Sequence, residues 1–328
     1  RLIGNVAFKQ GDVYMYCDSA YFFSKTNDLD AYNNVRIVQG DSLILYGDTL
    51  HYNGNSKYAR IRGQVELDNN QIILNCNQLD YDLKNEFGYY VGGGKIHNKE
   101  EKSTVTSNQG YYYPNTESFF FKDSVHLKHP DYDIRADTMK FHSKSETTYF
   151  LGPTHIKTGG NTIYCEKGKL NPKTKTSYFV KNASISSNEK VIKGDSIFYN
   201  QQNKIGEVFD NVTIIDTTEN LIINGDYSKY NEADSTSVVT GNVLLTQIYE
   251  KDTFYLHADT ILSYYDNTKT YQNISAFHHV QFYKSDMQGR CDSIVFSDID
   301  STIKMYSEPI MWSEANQMTA DFIEIKQF

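Results

Sequence analysis

Tryptophan occurs once in 328 residues, proline five times and cysteine four times. No stretch is apolar over the ~20 residues that a membrane-spanning helix needs. No secretory signal stands at Arg1, so the expectation is a soluble, processed mature fragment. No cluster of Lys and Arg interrupts a net charge of -9, and without one there is no surface to neutralise phosphates, which excludes nucleic acid as a partner. Nucleophile elbow, phosphate loop and zinc-ligand spacing are also missing. What the chain has is aromatic: 27 Tyr and 18 Phe, a composition that favours strands over helices.

One short pattern returns about every thirty residues from end to end. It reads small residue, Asp, Ser or Thr, aliphatic, any residue, aromatic, as in Gly194-Asp195-Ser196-Ile197-Phe198-Tyr199. Its anchor Asp recurs as Asp18, Asp48, Asp137, Asp195, Asp226, Asp259, Asp292 and Asp321, with Asn77, Asn108 and Glu166 filling the remaining places. The period runs unbroken, which predicts one continuous repeat domain over residues 1–328 rather than the two domains that length alone suggests.

A second element precedes each anchor. Gly4-Asn5-Val6-Ala7-Phe8 returns as Asn33-Asn34-Val35-Arg36-Ile37, Gly63-Gln64-Val65-Glu66-Leu67, Asp210-Asn211-Val212-Thr213-Ile214 and Gly241-Asn242-Val243-Leu244-Leu245, with looser copies such as the one that reaches Phe282. Apolar residues two apart mark a strand with one buried face. On the anchor strand Leu45, Leu74, Val105, Ile134, Ile163, Ile192, Ile223 and Leu256 stand three residues before the anchor, on the side of the small residue one before it. From one before the anchor to two after is an odd step, which would swing the second half of the strand to the other face. A bulge or corner at Asp-Ser repairs this. The anchor carboxylates are therefore expected to cap corners, since a row of nine catalytic acids makes no chemical sense.

Polar turns close the hairpins, among them Asn53-Gly54-Asn55-Ser56-Lys57, Asn171-Pro172-Lys173-Thr174-Lys175 and Tyr265-Asp266-Asn267-Thr268-Lys269, giving about 22 strands. Cys17, Cys76, Cys165 and Cys291 all fall just before an anchor, where other repeats carry Gly, Ala or Ser. They read as small buried hydrophobes rather than disulfide partners. His126 and His129 are three apart and His278 and His279 adjacent. On a strand neither pair presents two ligands together, so no metal and no cofactor is expected.

The run Gly4-Asn5-Val6-Ala7-Phe8-Lys9-Gln10-Gly11 followed by Cys17-Asp18-Ser19-Ala20-Tyr21-Phe22, repeated in register along the chain, resembles the OstA-like family, whose members include LptA, LptC and the amino-terminal domain of LptD. The resemblance implies an all-β fold, an elongated antiparallel β-jellyroll forming a V-shaped trough. It further implies a periplasmic, non-enzymatic carrier of lipopolysaccharide, which shields the lipid A acyl chains and assembles head-to-tail with itself or with other OstA-like proteins to bridge two membranes. The trough lining would be Val6, Phe8, Val35, Ile37, Leu45, Val65 and Leu67, then Leu74, Val105, Ile134, Ile163 and Ile192, and finally Val212, Ile214, Ile223, Val243, Leu245, Leu256 and Phe282. The same apolar rows would serve equally as the dry core of a closed sandwich. The alternative function is thus a structural β-solenoid, an adhesin or filament subunit without ligand. A glycan-acting β-helix enzyme ranks below both, because it needs carboxylates clustered on one face.

Overall fold

Alternating apolar residues separated by Asn, Asp and Gly turns give the chain its strands. The structure is a computed structural model that describes residues 1–40, 43–265, 272–297 and 299–326. Contacts within the chain divide it into two units, Arg1–Gly159 and Gly160–Phe328. Among the described residues there are 24 strands and one 3-10 turn at Pro114–Thr116.

Unit one holds β1 (Leu2–Gln10), β2 (Val13–Phe23), β3 (Asp28–Gln39), β4 (Leu43–Asn53), β5 (Tyr58–Asp68), β6 (Ile72–Asp82), β7 (Phe87–Asn98), β8 (Thr104–Tyr113), β9 (Ser118–Lys128), β10 (Tyr132–His142) and β11 (Thr147–Thr158). Each pairs antiparallel with the next. Unit two holds β12 (Asn161–Asn171), β13 (Thr176–Ser186), β14 (Lys190–Asn200), β15 (Ile205–Asp216), β16 (Leu221–Asn231), β17 (Thr236–Ile248), β18 (Thr253–Tyr265), β19 (Gln272–Lys284), β20 (Met287–Ser297), β21 (Thr302–Tyr306), β22 (Ile310–Ser313), β23 (Asn316–Thr319) and β24 (Phe322–Lys326). Pairing is again sequential as far as β20, which then pairs with both β21 and β22. The last two expected strands are broken at their corners into β21 with β22 and β23 with β24, which turns about 22 strands into 24.

The hairpin tips follow from side-chain chemistry. Asn53 Oδ1 accepts the backbone N–H groups of Asn55 and Ser56, Asp82 those of Lys84 and Asn85, and Asn200 those of Gln202 and Asn203. These are Asx turns, in which a short polar side chain replaces a backbone partner. A left-handed residue then hands the chain to the next strand, as at Lys57, Glu86 and Lys204. The turn expected at 265–269 lies, from 266 onward, outside the described residues.

The register of nearly every strand pair shifts once, at the anchor. In β1 and β2, Ile3 faces Ser19 and Val6 faces Cys17, so Gly4 and Asn5 together oppose the single residue Asp18. The parity argument placed the irregularity on the anchor strand, whereas the extra residue belongs to its neighbour. Two consecutive residues there have positive φ: Gly4 and Asn5, Asn33 and Asn34, Gly63 and Gln64, Asp210 and Asn211, Gly241 and Asn242, His278 and His279. Gly reaches that region freely and Asn, Asp and His more readily than other residues, which explains the residues chosen before each Val. A bulge of this kind bends both strands.

The bend folds each unit over on itself. In unit one a single apolar cluster combines Val6, Met15 and Val35 from one side of the bend with Ala20, Ala31, Leu50 and Ile61 from the other. In unit two Val243, Leu256 and Phe282 meet Ile261, Ala276 and Ile294 in the same way. The first wall is therefore built from residues that follow the bulge or precede the anchor, and the second wall from the remaining halves.

Candidate functional site

In each unit the inner face of the two walls is an extended apolar surface to which successive strands contribute. Its floor runs along the bend. Val6, Val35, Val65, Val212 and Val243 are at most 7% exposed, and the small residues Cys17, Ala136, Cys165, Ala258 and Cys291 lie beside them, equally buried. A small side chain is required because the opposite wall presses on this position. At Gly47 an added Cβ would strike Ile61, and at Gly194 and Gly225 it would strike Val208 and Val239.

One step up the first wall the lining divides. Leu45, Leu74, Ile134, Leu245, Leu256 and Phe282 are at most 8% exposed. Phe8, Ile37, Leu67, Val105, Ile163, Ile192, Ile214 and Ile223 are half-buried. All nineteen sequence-predicted lining residues thus face inward in burial pattern, with eight of them reachable from outside.

A second inner row was not picked out from the sequence. Ala31, Ile61, Tyr90, Phe121, Phe150, Phe179, Val208, Val239, Ala276 and Met305 line the second wall, each at most 7% exposed. Each but Met305 stands four residues before the floor position on its own strand, a constant spacing that could have revealed it. Tyr90 in this row lies against Gly94 and Gly110, where any Cβ would overlap its ring, and its hydroxyl bonds Ser107 Oγ at 2.6 Å. Burial pushes the Tyr90 phenol up to about 12, so it is neutral at any physiological pH.

The anchor carboxylates sit on the outside of the bend. Asn34 Nδ2 donates to Asp18 at 2.9 Å and Asn211 Nδ2 to Asp195 at 3.0 Å, in each case from the left-handed pair opposite. Asn182 holds Glu166 in the same way at 2.7 Å. Asp48 and Asp226 lie directly against Gly63 and Gly241, and Gly152 leaves only 3.0 Å between an added Cβ and Asp137. His278 and His279 diverge to opposite neighbours, His278 to Asp292 at 3.2 Å and His279 to Asp259 at 2.9 Å. The hydroxyl of Ser293 and the His278 ring both hold the Asp292 carboxyl below the usual carboxylate range. Asp321 is exposed in the link between β23 and β24. His126 and His129 are likewise separated: His126 Nε2 bonds Asp133 at 3.0 Å while His129 stacks on Tyr132.

The four cysteines are unpaired. Burial pushes the Cys165 thiol up to about 12 and those of Cys76 and Cys291 up to about 11, so they stay protonated and unreactive. On the outer face of unit one, Arg62 pairs with Asp80, which also accepts from Tyr58 at 3.1 Å and Tyr89 at 3.0 Å.

Fold and lining together define an all-β repeat protein whose strands bend around a mainly apolar inner face in each unit. Comparison with known proteins finds family models that match two parts of the chain. The model for OstA-like protein matches residues 1–137, and that for the LptA/(LptD N-terminal domain) LPS transport protein matches residues 222–327. Two separate stretches of the chain, neither of them half of it, are thus similar to OstA-like and LPS transport proteins. Among solved structures it is similar to LptH of Pseudomonas aeruginosa, the LptA homologous periplasmic component of the lipopolysaccharide transport device, at 12% identity and a TM-score of 0.31 over 34% of this chain and 84% of that one. No curated protein matches.

Proposed function

We propose that the chain is a periplasmic carrier that shields lipopolysaccharide acyl chains against the inner face of its bent strands and works head-to-tail with other OstA-like proteins, without making or breaking a bond. The observation that carries this reading is the half-buried row. Phe8, Ile37, Leu67, Ile163, Ile192, Ile214 and Ile223 are wholly apolar, face inward and still meet solvent. Each methylene that leaves water for such a surface contributes about 0.8 kcal/mol, and a row gathers many of them. Among the described residues no helix is long and apolar enough to cross a membrane. Assembly with other OstA-like proteins rests on the family alone.

The full burial of Val35, Val65, Val212 and Val243 favours a second reading, a structural β-solenoid with a dry core. Photo-crosslinking in cells separates the two. A crosslinking residue at Ile37 or Ile192 is expected to capture lipopolysaccharide, and one on the outer face at Tyr46 or Lys193 is not. Capture at the outer positions alone, or at none, returns the chain to the solenoid reading.

A further inference from the structure

The half-buried row of unit two ends abruptly although its chemistry does not change. Ile163 faces Ile185, Ile185 faces Ile192, Ile192 faces Ile214 and Ile214 faces Ile223, directly across neighbouring strands β12 to β16. All five are half-buried. The row continues without a break, Ile223 to Leu245, Leu245 to Leu256 and Leu256 to Phe282, across β17 to β19. Yet these three are 4%, 0% and 5% exposed. Apolar residues in one register differ in exposure because something covers the later ones.

The cover is aromatic. Two residues nearer the rim than Leu256 stands Phe254, on the first wall. Its ring lies 6.4 Å from that of Phe282 and meets Phe296 edge-on at 6.2 Å and 82°. Phe296 follows the anchor Asp292 and so belongs to the second wall, paired with Ile274 and Ile303. The Phe254 and Phe296 contact therefore joins the two walls above the lining. In β12 and β14 the place of Phe254 is taken by Asn161 and Lys190, both exposed, and Lys190 pairs with Asp216 at 3.1 Å. The rim is polar over β12–β15 and passes to Leu221 in β16, beside Gln247 and Phe254, and an apolar row beneath such a polar, charged rim suits an amphiphile with its chains inside and its head outside.

We infer that unit two accepts acyl chains along β12–β16 only, and that Phe254 and Phe296 form the stop that ends this stretch. The accepting segment spans about 20 Å at ~4.8 Å per strand. The inference rests on the acyl-binding reading above and adds to it where the lipid lies and what bounds it.

The test uses the full chain and a stearic acid that carries a photoreactive diazirine at its methyl end, with labelled residues mapped by mass spectrometry. Label is expected on Ile185, Ile192 and Ile214 and at background on Leu245, Leu256 and Phe282. In Phe254→Ala the label should extend to Leu256 and Phe282 and reach the level seen at Ile214. Phe296→Leu keeps the site apolar while removing the ring contact, and should shift the boundary the same way, so the test survives misfolding of the alanine variant. Equal labelling of Leu256 and Ile214 in the unsubstituted chain overturns the stop. So does an unmoved boundary in a variant whose circular dichroism is native. Absence of label from the whole inner row is a different result, which removes the acyl-binding reading and this inference with it.

Discussion

Gly63 shows at the scale of one residue how the bend is held. Its φ is +75° and Asp48 lies where a Cβ would be, so Gly63→Ala meets both backbone strain and a carboxylate. The expected loss is about 2–3 kcal/mol in a urea titration. Gly11 supplies the control, with a φ of +59° and open space around it, so Gly11→Ala should cost only about 1 kcal/mol of strain. Equal losses at the two sites would show that the carboxylate contact contributes nothing. The Gly or Asn before each Val was plain in the sequence, and so was the anchor Asp. Which of the two strands carries the extra residue was not, because alternation locates a break in parity without saying whose backbone supplies it.

At the scale of the element, the hairpin tips were legible because Asn, Asp and Gly act locally, through bonds two or three residues away. The second-wall row was hidden because its members range from Ala31 to Phe150, and a row that varies so much in size does not look like one position. Asp216 shows how a tip meets the rim. Burial works to raise its carboxyl, but the backbone N–H groups of Glu219 and Thr218 and the Lys190 ammonium outweigh it, and the net direction is downward. A carboxylate held below its unfolded value of ~3.9 stabilises the fold above that pH. The contribution is lost as pH falls through the lowered value. Asp216→Asn keeps an acceptor for the turn and removes the charge. It should cost roughly 1 kcal/mol at neutral pH, with the gap to the unsubstituted chain closing below about pH 3. A gap that persists unchanged into acid would assign the effect to packing instead of charge.

At the scale of the whole molecule, the floor thiols report opening. Cys17 belongs to unit one and Cys165 and Cys291 to unit two, and they are 5%, 1% and 7% exposed. Native chain treated with a thiol reagent at pH 8 should modify these three far more slowly than unfolded chain, with rates that rise in step with urea unfolding of each unit. Reaction of any of them at the unfolded rate in native buffer would mean that the floor is open to water. That the walls close over Leu256 yet leave Ile192 reachable was not readable from the sequence, since the rows are apolar throughout. The difference is made by Phe254 and Phe296, residues far apart in the chain whose meeting depends on how sharply two separate strands bend.

The left-handed pair in each hairpin has a consequence for how such a chain changes over evolutionary time. Because every rung carries its own corner, copying or deleting one hairpin leaves the inside and outside of all the others in phase. Reach can thus be altered by a single genetic duplication, with no compensating change anywhere else.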